Sequence, residues 1–474
     1  MGSILQPFAS GRYDIRRIAI IGAGPSGLAA AKYLQAEECF EKIDIFEQQA
    51  EVGGVWHYIP MTGEAVPVPS TTPDVPLEKP IWPKDSKFPL FSNPMYDQLY
   101  TNIPKDLMRF SDQAFPSESL LFPTRQDVQK YLVQYSQGIR HLISFSTQVD
   151  EVHLSHGNGK NRWEVTSMST ITGESKQNEY DAVVVACGHY SVPYIPPVPG
   201  IEAFNSAHPT VITHSKIFRA PDKFANQKVI VVGNAASGLD IGTQISEVCK
   251  KPLLNSVRSP SAIKMGEEKK EELPPIVEYL VDQRGVRFED GRIEKDIDAI
   301  VYCTGYLYSY PFLETIKPSI VTTGRRALGL YQHVFNIAHP SLAFTALPQK
   351  VIPFPVSEAQ GAAIATVWSN KLGLPAKDEM EAWEKDRAAE HGEGTSFHIL
   401  EYPHDGEYIN KLHDWVKSVQ NGRGKEPPFW TPREFHLREI FATLRQKFAE
   451  GGHKARTIEE LGFKFEGPDE EKTL

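Results

Sequence analysis

The order of apolar and polar runs along the chain predicts two strand–helix–strand units. The first begins with RRIAII (Arg16–Ile21), a run typical of a buried strand, which leads into the turn GAGPSG, the helix LAAAKYLQAEE and the strand KIDIFEQ (Lys42–Gln48). The second repeats this order with the strand QKVIVVG, the turn NAASG and the helix LDIGTQISEVCK. DAIVYCTGY (Asp298–Tyr306) predicts one more buried strand in that region.

Other segments show different patterns. Nine prolines from Pro60 to Pro94 argue against a helix or a central strand and predict a long surface loop. An amphipathic helix is predicted to begin near Gln126, and an antiparallel β section to run from Ser144 to Ala186. The proline-rich VPYIPPVPG (Val192–Gly200) predicts a linker between domains, and charged helical sequence begins at about Glu379.

Length and charge restrict the classes of protein to be considered. A chain of 474 residues is too long for one core, so two or three lobes are expected. Its formal net charge of −10 argues against a broad nucleic-acid-binding surface. No apolar run is long enough for a membrane span, and the first residues lack the pattern of a secretory signal, so we expect a cytoplasmic protein.

The four cysteines are widely spaced and form neither a zinc-type motif nor a CxxC pair. Disulfide reductases work through such a pair, so the spacing argues against that class. Cys187 and Cys303 each end an apolar run, and we expect both side chains to be buried.

The first glycine-rich turn has the pattern of a dinucleotide-binding site. Gly22 permits the tight turn, Gly24 allows close approach of a pyrophosphate, and Gly27 allows the helix to pack closely on the strand. Glu47 ends the second strand, where a carboxylate accepts hydrogen bonds from a ribose diol. The residues expected to bind FAD here are Gly22, Gly24, Pro25, Ser26, Gly27, Glu47 and Gln48.

The second turn has alanine at the middle position. Arg258 lies 25 residues after Gly233, and Glu47 lies 25 residues after Gly22, so we interpret both as occupants of one structural position. An arginine there suits the 2′-phosphate of NADPH. The residues expected to bind NADPH are Gly233, Asn234, Ala235, Ser237, Gly238 and Arg258. Two such sites imply hydride transfer from a nicotinamide to a flavin, which then needs an acceptor such as oxygen, a quinone or a small molecule.

Several further blocks resemble the flavin-containing monooxygenases, in the order of that family, from Ile18 to Gln360. They are GAGPSGLAAAKYL, FEQQAEVGGVW, LYTNIPKDLMRF, ACGHYSVPYIPPVPGIEAF, VYCTGYLYSYPFL and AFTALPQKVIPFPVSEAQ. The resemblance implies an α/β fold of two Rossmann-like dinucleotide-binding domains. An NADPH-binding domain at residues 201–303 would be inserted in an FAD domain formed by residues 1–200 and 304–474, which ends in a helical region.

The resemblance also implies the chemistry. Reduced FAD would form a C4a-hydroperoxide with molecular oxygen, and a soft nitrogen or sulfur of a small amine, thiol or sulfide would attack it, so no catalytic triad or metal is needed. Asn102 matches the family's active-site asparagine and would donate its amide to the peroxide or to the nicotinamide ribose. Further cofactor-binding residues implied by the resemblance are Gly54, Val55, Trp56, Thr101, Val149, Thr304 and Gln360.

One motif departs from the family pattern. His214 and Phe218 match the usual FxGxxxHxxx(Y/F) signature, whereas His208 and Thr210 replace its first Phe and its Gly. A Baeyer–Villiger enzyme would carry Trp at position 218, so Phe218 favours a heteroatom oxygenase. His214 is as compatible with a structural role as with cofactor contact.

Three alternatives stay open. They are a Baeyer–Villiger monooxygenase, an NADPH oxidase that releases peroxide, and a redox-sensing or scaffold protein that retains the fold. The substrate and the oligomeric state, a homodimer included, are equally open. We expect the proline-rich loop to shape substrate access, because it lies between the first turn and Asn102.

Overall fold

The computed structural model describes residues 12–60, 65–157, 160–261, 266, 268–419, 424–465 and 467, and its largest sheet draws strands from two distant parts of the chain. Across this seven-stranded sheet the order is β18 (Leu330–Tyr331), β19 (Phe335–Asn336), β20 (Leu342–Phe344), β7 (Ala182–Val185), β1 (Arg17–Ile21), β2 (Lys42–Phe46) and β3 (Ile143–Ser144). The strands from β20 to β3 run parallel, and β18 and β19 form an antiparallel edge.

Two helices, α1 (Pro25–Ala36) and α6 (Pro353–Trp368), pack closely against each other. Both contribute residues to the hydrophobic core beside this sheet. Proline at the first helical position starts each of them, where its missing N–H is not needed. A Cβ at Gly361 would lie only 3.1 Å from the Ala30 Cα, so the two helices are in close backbone contact. The buried apolar character of α6 along nearly its whole length follows from this position.

A second, five-stranded parallel sheet lies between the two chain segments that form the first. Its order is β12 (Lys270–Leu273), β11 (Leu253–Ser256), β10 (Val229–Val232), β16 (Ala299–Tyr302) and β9 (Ile212–His214). Helix α5 (Ala236–Ser246) connects β10 to β11, and β13 (Ile276–Leu280), β14 (Gly285–Phe288) and β15 (Ile293–Glu294) form a small antiparallel sheet beside it. The two chain crossings between the units pair with each other as β8 (Val192–Pro193) and β17 (Tyr306–Leu307).

The remaining elements surround these sheets. A three-stranded antiparallel sheet contains β4 (Thr147–Gly157), β5 (Lys160–Ser169) and β6 (Ser175–Tyr180). The other helices are α2 (Lys105–Met108), α3 (Arg125–Tyr135), α4 (Ile201–Ala207), α7 (Lys377–His391), α8 (His404–Lys417) and α9 (Pro432–Glu450).

The α/β fold with one Rossmann-like unit inserted in another is therefore confirmed. The antiparallel prediction for 144–186 is wrong at its end, because β7 joins the parallel sheet between β1 and β20. All four β7 residues are buried, as expected for a strand covered on both faces. Helices α1 and α5 also begin three residues earlier than predicted, whereas α3 starts at Arg125, close to its predicted start at Gln126.

No helix in residues 65–94 of the proline-rich loop is found, as predicted, and residues 61–64 lie outside the described part. Residues 1–11, on which the expectation of a cytoplasmic protein partly rests, also lie outside it. Among the described helices, none has both the length and the apolar character required to cross a membrane.

Candidate active site

A cleft of about 2990 Å³ lies where the carboxyl ends of strands from both sheets meet. Residues directly after β1, β2, β7, β10, β11 and β16 line it, and in open α/β sheets this is the edge at which ligands bind. Pockets for a single drug-sized ligand have volumes of roughly 300–1,000 Å³. The cleft therefore has room for more than one extended ligand.

Most of the residues predicted from the sequence to bind cofactor line this one cleft. They are Gly22, Gly24, Pro25, Ser26, Glu47, Gln48, Gly54, Val55, Trp56, Thr101, Asn102, Val149, Gly233, Asn234, Ala235, Ser237, Arg258 and Thr304. Gly27, Gly238 and Gln360 do not line it and lie behind its wall.

The first glycine turn fits a dinucleotide pyrophosphate. Gly24 lies beside Gly54, and both residues line the cleft, so the backbone of the turn is accessible to a ligand. Gly27 sits behind the turn, where a Cβ would come within 1.9 Å of the Gly22 carbonyl oxygen. Glycine is therefore required at position 27 for the packing of α1 on the turn. The amino end of α1 faces the cleft, which favours an anion there.

Glu47 places a buried carboxylate beside this turn. Its Oε2 accepts from the Ala23 N–H at 2.8 Å and its Oε1 from the Gln49 N–H at 2.9 Å. Burial raises the pKa of Glu47 to about 7, against the opposing effect of these backbone hydrogen bonds. Each carboxylate oxygen has a second lone pair, so the group fits the ribose hydroxyls of a dinucleotide.

The second turn repeats the first, but the predicted position of Arg258 is wrong by one residue. Gly22 N donates to Phe46 O at 2.8 Å and Gly233 N donates to Ser256 O at 2.9 Å, so Phe46 and Ser256 are equivalent. Val257, not Arg258, therefore matches Glu47. The reason is that the segment from the glycine to the end of the second strand is one residue longer in the first unit, from Gly22 to Phe46, than in the second, from Gly233 to Ser256.

Arg258 nevertheless lies at the cleft. It is exposed, one residue beyond the position that corresponds to Glu47. The Asn234 amide donates to the Ser259 carbonyl at 2.7 Å and holds the segment that carries Arg258 beside the second turn. Gly238 repeats the packing role of Gly27, because a Cβ there would lie 2.2 Å from the Gly233 carbonyl oxygen.

Asn102 lies in the cleft on a well-anchored backbone. Thr101 N donates to Pro123 O at 2.9 Å, and Thr101 Oγ1 donates to Ile103 O at 2.8 Å. Asn102 itself is exposed to the cleft, and within the described part of the chain no protein group hydrogen-bonds to its side-chain amide. The amide is therefore free to donate to a ligand.

Gln360 holds the wall of the cleft instead of lining it. It is fully buried, its Oε1 accepts from the Ala346 N–H at 2.7 Å, and its Nε2 donates to the Tyr408 hydroxyl at 3.1 Å. Ala346 lines the cleft in a left-handed conformation, with φ of 58°. Gln360 is thus a polar residue inside the apolar helix α6 because its side chain positions the loop that carries Ala346.

The His214 signature is a structural feature of the second sheet. His214 Nδ1 accepts from the Lys216 N–H at 3.1 Å, so its Nε2 carries the proton and donates to the Gly305 carbonyl at 3.1 Å. Burial lowers the pKa of His214 to about 3, which keeps the ring neutral. Phe218 is also buried and packs edge-to-face on Tyr96, outside the lining of the cleft.

The cysteines divide between two environments. Cys303 is buried, as predicted. The prediction for Cys187 is wrong, because its side chain is exposed. The reason is that β7 ends at Val185, so Cys187 lies past the strand, where it lines the cleft.

The carboxyl-terminal helix α9 forms part of the cleft wall, which no sequence pattern indicates. Arg438 and Arg445 of α9 line the cleft, and Arg445 forms an ion pair of 3.4 Å with Asp240 of α5. Arg438 pairs with the buried Asp405 at 2.6 Å. These contacts join positions distant in sequence, and the local pattern of a charged helix contains no sign of them.

Comparison with known proteins gives a consistent assignment. The model of the flavin-binding monooxygenase-like family matches residues 92–274 and 273–422, and that of an NAD(P)-binding Rossmann-like domain matches residues 20–74. A thiol-specific monooxygenase of Saccharomyces cerevisiae is 33% identical over 450 residues, which are 92% of this chain and 93% of the relative. The flavin-containing monooxygenase FMO GS-OX-like 9 of Arabidopsis thaliana is 33% identical over 77% of this chain and 78% of its own.

Solved structures agree with these relatives. An S-allyl-L-cysteine S-oxygenase from Allium sativum aligns with a TM-score of 0.78 and 27% identity, over 94% of this chain and 97% of its own. Cyclohexanone monooxygenase aligns with a TM-score of 0.51 and 14% identity, over 93% of this chain and 99% of its own, a likeness that concerns the fold alone. With its two dinucleotide-type turns on one cleft, the chain belongs to the flavin-binding monooxygenase-like family and is a flavin-dependent monooxygenase with a nicotinamide cofactor.

Proposed function

We propose that the protein uses FAD, NADPH and molecular oxygen to oxygenate the sulfur of a small thiol or sulfide. The observation that carries the proposal is that both glycine turns and the unpartnered Asn102 amide face one cleft. In this proposal residues 1–200 and 304–474 bind FAD, and residues 201–303 bind NADPH.

The roles of individual residues follow from their positions. The turn at Gly22–Ser26 and the amino end of α1 hold one pyrophosphate, and Glu47 accepts hydrogen bonds from the adjoining ribose. The turn at Gly233–Ser237 holds the other pyrophosphate, and Arg258 pairs with the 2′-phosphate. When bound, the reduced flavin supplies the activation of dioxygen. Asn102 donates its amide toward the reacting oxygen.

Sulfur is favoured over nitrogen by the relatives. The thiol-specific monooxygenase and the S-allyl-L-cysteine S-oxygenase are both named for sulfur substrates, and they cover nearly the whole of this chain. A divalent sulfur is a soft nucleophile that attacks electrophilic oxygen without deprotonation by a protein base. The proposal therefore assigns no general base to the cleft.

A substrate panel with matched compounds tests the proposal. We expect oxygen uptake with NADPH to rise with thiols and sulfides, and the protein to release FAD, not FMN, on denaturation. Isosteric amines and ketones serve as the controls. Ester formation from ketones would favour a Baeyer–Villiger enzyme, and peroxide release with every compound would favour an NADPH oxidase.

A further inference from the structure

A segment of the proline-rich loop, residues 65–81, connects the two sheets, and we call it the strap. Val66 and Val68 pack against the core of the second sheet. Leu77 packs against a hydrophobic cluster of the first unit, which contains Phe46 and Val149. The strap is therefore a connection between the two units in addition to the chain crossings.

The strap is bound to both crossings by hydrogen bonds. Ser70 forms a two-bond antiparallel bridge with Ile195, with N–O distances of 3.0 and 2.9 Å, and its hydroxyl donates to Pro193 O at 2.7 Å. Pro73 O accepts from the Ser309 hydroxyl at 2.7 Å. These four hydrogen bonds fix the course of the strap.

The far end of the strap lies beside the residue assigned to the FAD ribose. Glu78 O accepts from the Gln148 amide at 3.1 Å, and the same amide donates to Gln48 Oε1 at 3.2 Å. Gln48 directly follows Glu47 in the chain. The side chains that line the cleft here are those of Glu47, Gln48, Glu78 and Gln148. Contact with the strap thus reaches the adenosine end of the first dinucleotide site.

An ion pair closes the strap onto the second unit. Lys216 Nζ donates to Glu78 Oε1 at 3.1 Å and to Ser191 O at 2.7 Å. The Lys216 side chain is 12% exposed and that of Glu78 is 29% exposed, so solvent screens the pair less than a surface pair. Lys216 follows β9, so the pair spans the two units above the cleft.

We propose that the strap closes the cleft over the adenosine end of FAD and retains the cofactor, with the Glu78–Lys216 pair as its latch. The proposal rests on the proposed function in one respect, the identity of the cofactor as FAD. It differs from the substrate-gating role predicted for the loop, because the anchored part reaches the Glu47 end of the cleft.

The rate of FAD loss from the holoenzyme tests the latch. On dilution, followed by the fluorescence of released FAD, Glu78→Ala and Lys216→Met should each lose FAD about tenfold faster than the wild type, as expected for one charge-assisted hydrogen bond. The double variant should be no faster than either single variant, because both remove the same pair. Glu278→Ala is the control, since its 2.8 Å pair with Arg287 has similar geometry and neither residue hydrogen-bonds to the strap in the described part of the chain.

Hydrogen exchange provides a readout that does not depend on a stable variant. Because coupling between two binding events is reciprocal, FAD should slow amide exchange in residues 66–79 of the wild-type chain relative to the FAD-free protein. Wild-type rates of FAD loss in Glu78→Ala, or exchange in the strap that FAD does not change, would overturn the proposal. A wild-type chain that binds no FAD at all would overturn the proposed function and the strap together.

Discussion

In the proposed function, Asn102 is the side chain through which the cleft most directly affects the fate of oxygen. Asn102→Ala removes a donor from a preorganised site, whereas hydride transfer from NADPH needs only the alignment of the cofactors. We therefore expect flavin reduction at the wild-type rate. The yield of oxygenated product per NADPH should fall by roughly tenfold or more, with hydrogen peroxide released instead.

Asn161→Ala is the matched control, because Asn161 is exposed on β5, away from the cleft. Rapid-mixing absorbance measures the reductive step, and peroxide and product assays measure the yield. An oxygenation yield equal to that of the wild type would remove Asn102 from the mechanism.

In the proposed function, Arg258 determines the choice of coenzyme, even though it does not occupy the position equivalent to Glu47. Because the side chain is exposed, solvent and salt weaken its attraction to a 2′-phosphate. Arg258→Ala should therefore raise the dissociation constant for NADPH by about tenfold and leave that for NADH unchanged. Arg287→Ala in β14 controls for loss of charge in the same unit. Equal loss of both coenzymes would show that Arg258 is structural.

In the proposed function, Glu47 makes FAD binding depend on pH. Its pKa of about 7 in the ligand-free protein means that the carboxyl is protonated at lower pH, and a ribose that donates to the carboxylate must displace this proton. The dissociation constant for FAD should be constant above pH 7 and rise below it, by at most about tenfold per pH unit. Titrations from pH 5.5 to 8 measure it. Glu47→Gln should abolish the dependence, and a flat wild-type profile would contradict this role.

At the scale of elements, the packing of each helix on its glycine turn is the feature most sensitive to substitution. A Cβ at Gly238 would lie 2.2 Å from the Gly233 carbonyl oxygen, so Gly238→Ala must displace α5 from the second turn. Overpacking of this kind costs about 3 kcal/mol. We expect NADPH affinity to fall at least tenfold while FAD content stays at the wild-type level.

Gly138→Ala is the control, because nothing lies within 4 Å of a Cβ at that position. Equilibrium titration with NADPH and the flavin-to-protein absorbance ratio provide the two readouts. Wild-type NADPH affinity in Gly238→Ala would show that α5 need not contact its turn closely.

The elements also show which parts of the fold can be predicted from local sequence patterns. Both Rossmann-like units could be predicted because a buried strand, a glycine turn and a helix are adjacent in sequence. β7 was assigned to the wrong sheet because its partners, β1 and β20, lie far away along the chain. The match of Arg258 to Glu47 is wrong because the segment from the first glycine to the end of the second strand is one residue shorter in the second unit.

At the scale of the whole molecule, the cleft exists only when distant segments come together. The strap lies between the two cores and packs against one of them through Leu77. Helix α9 forms part of the wall, where Arg445 lines the cleft. Neither contact has a local signature, because each depends on the packing of residues that lie far apart along the chain. The candidate site was therefore predictable at its two turns and at Asn102, but not in the parts that enclose them.

The stoichiometry of a single reaction shows most directly whether the protein is a monooxygenase that oxygenates sulfur. NADPH oxidised, oxygen consumed, peroxide released and oxygenated sulfur formed are measured together, with S-allyl-L-cysteine and a panel of small thiols and sulfides. The proposed function predicts that at least one of these compounds yields oxygenated product in an amount equal to the NADPH and the oxygen consumed, with little peroxide. Consumption of NADPH and oxygen that is recovered entirely as hydrogen peroxide with every sulfur compound would contradict it.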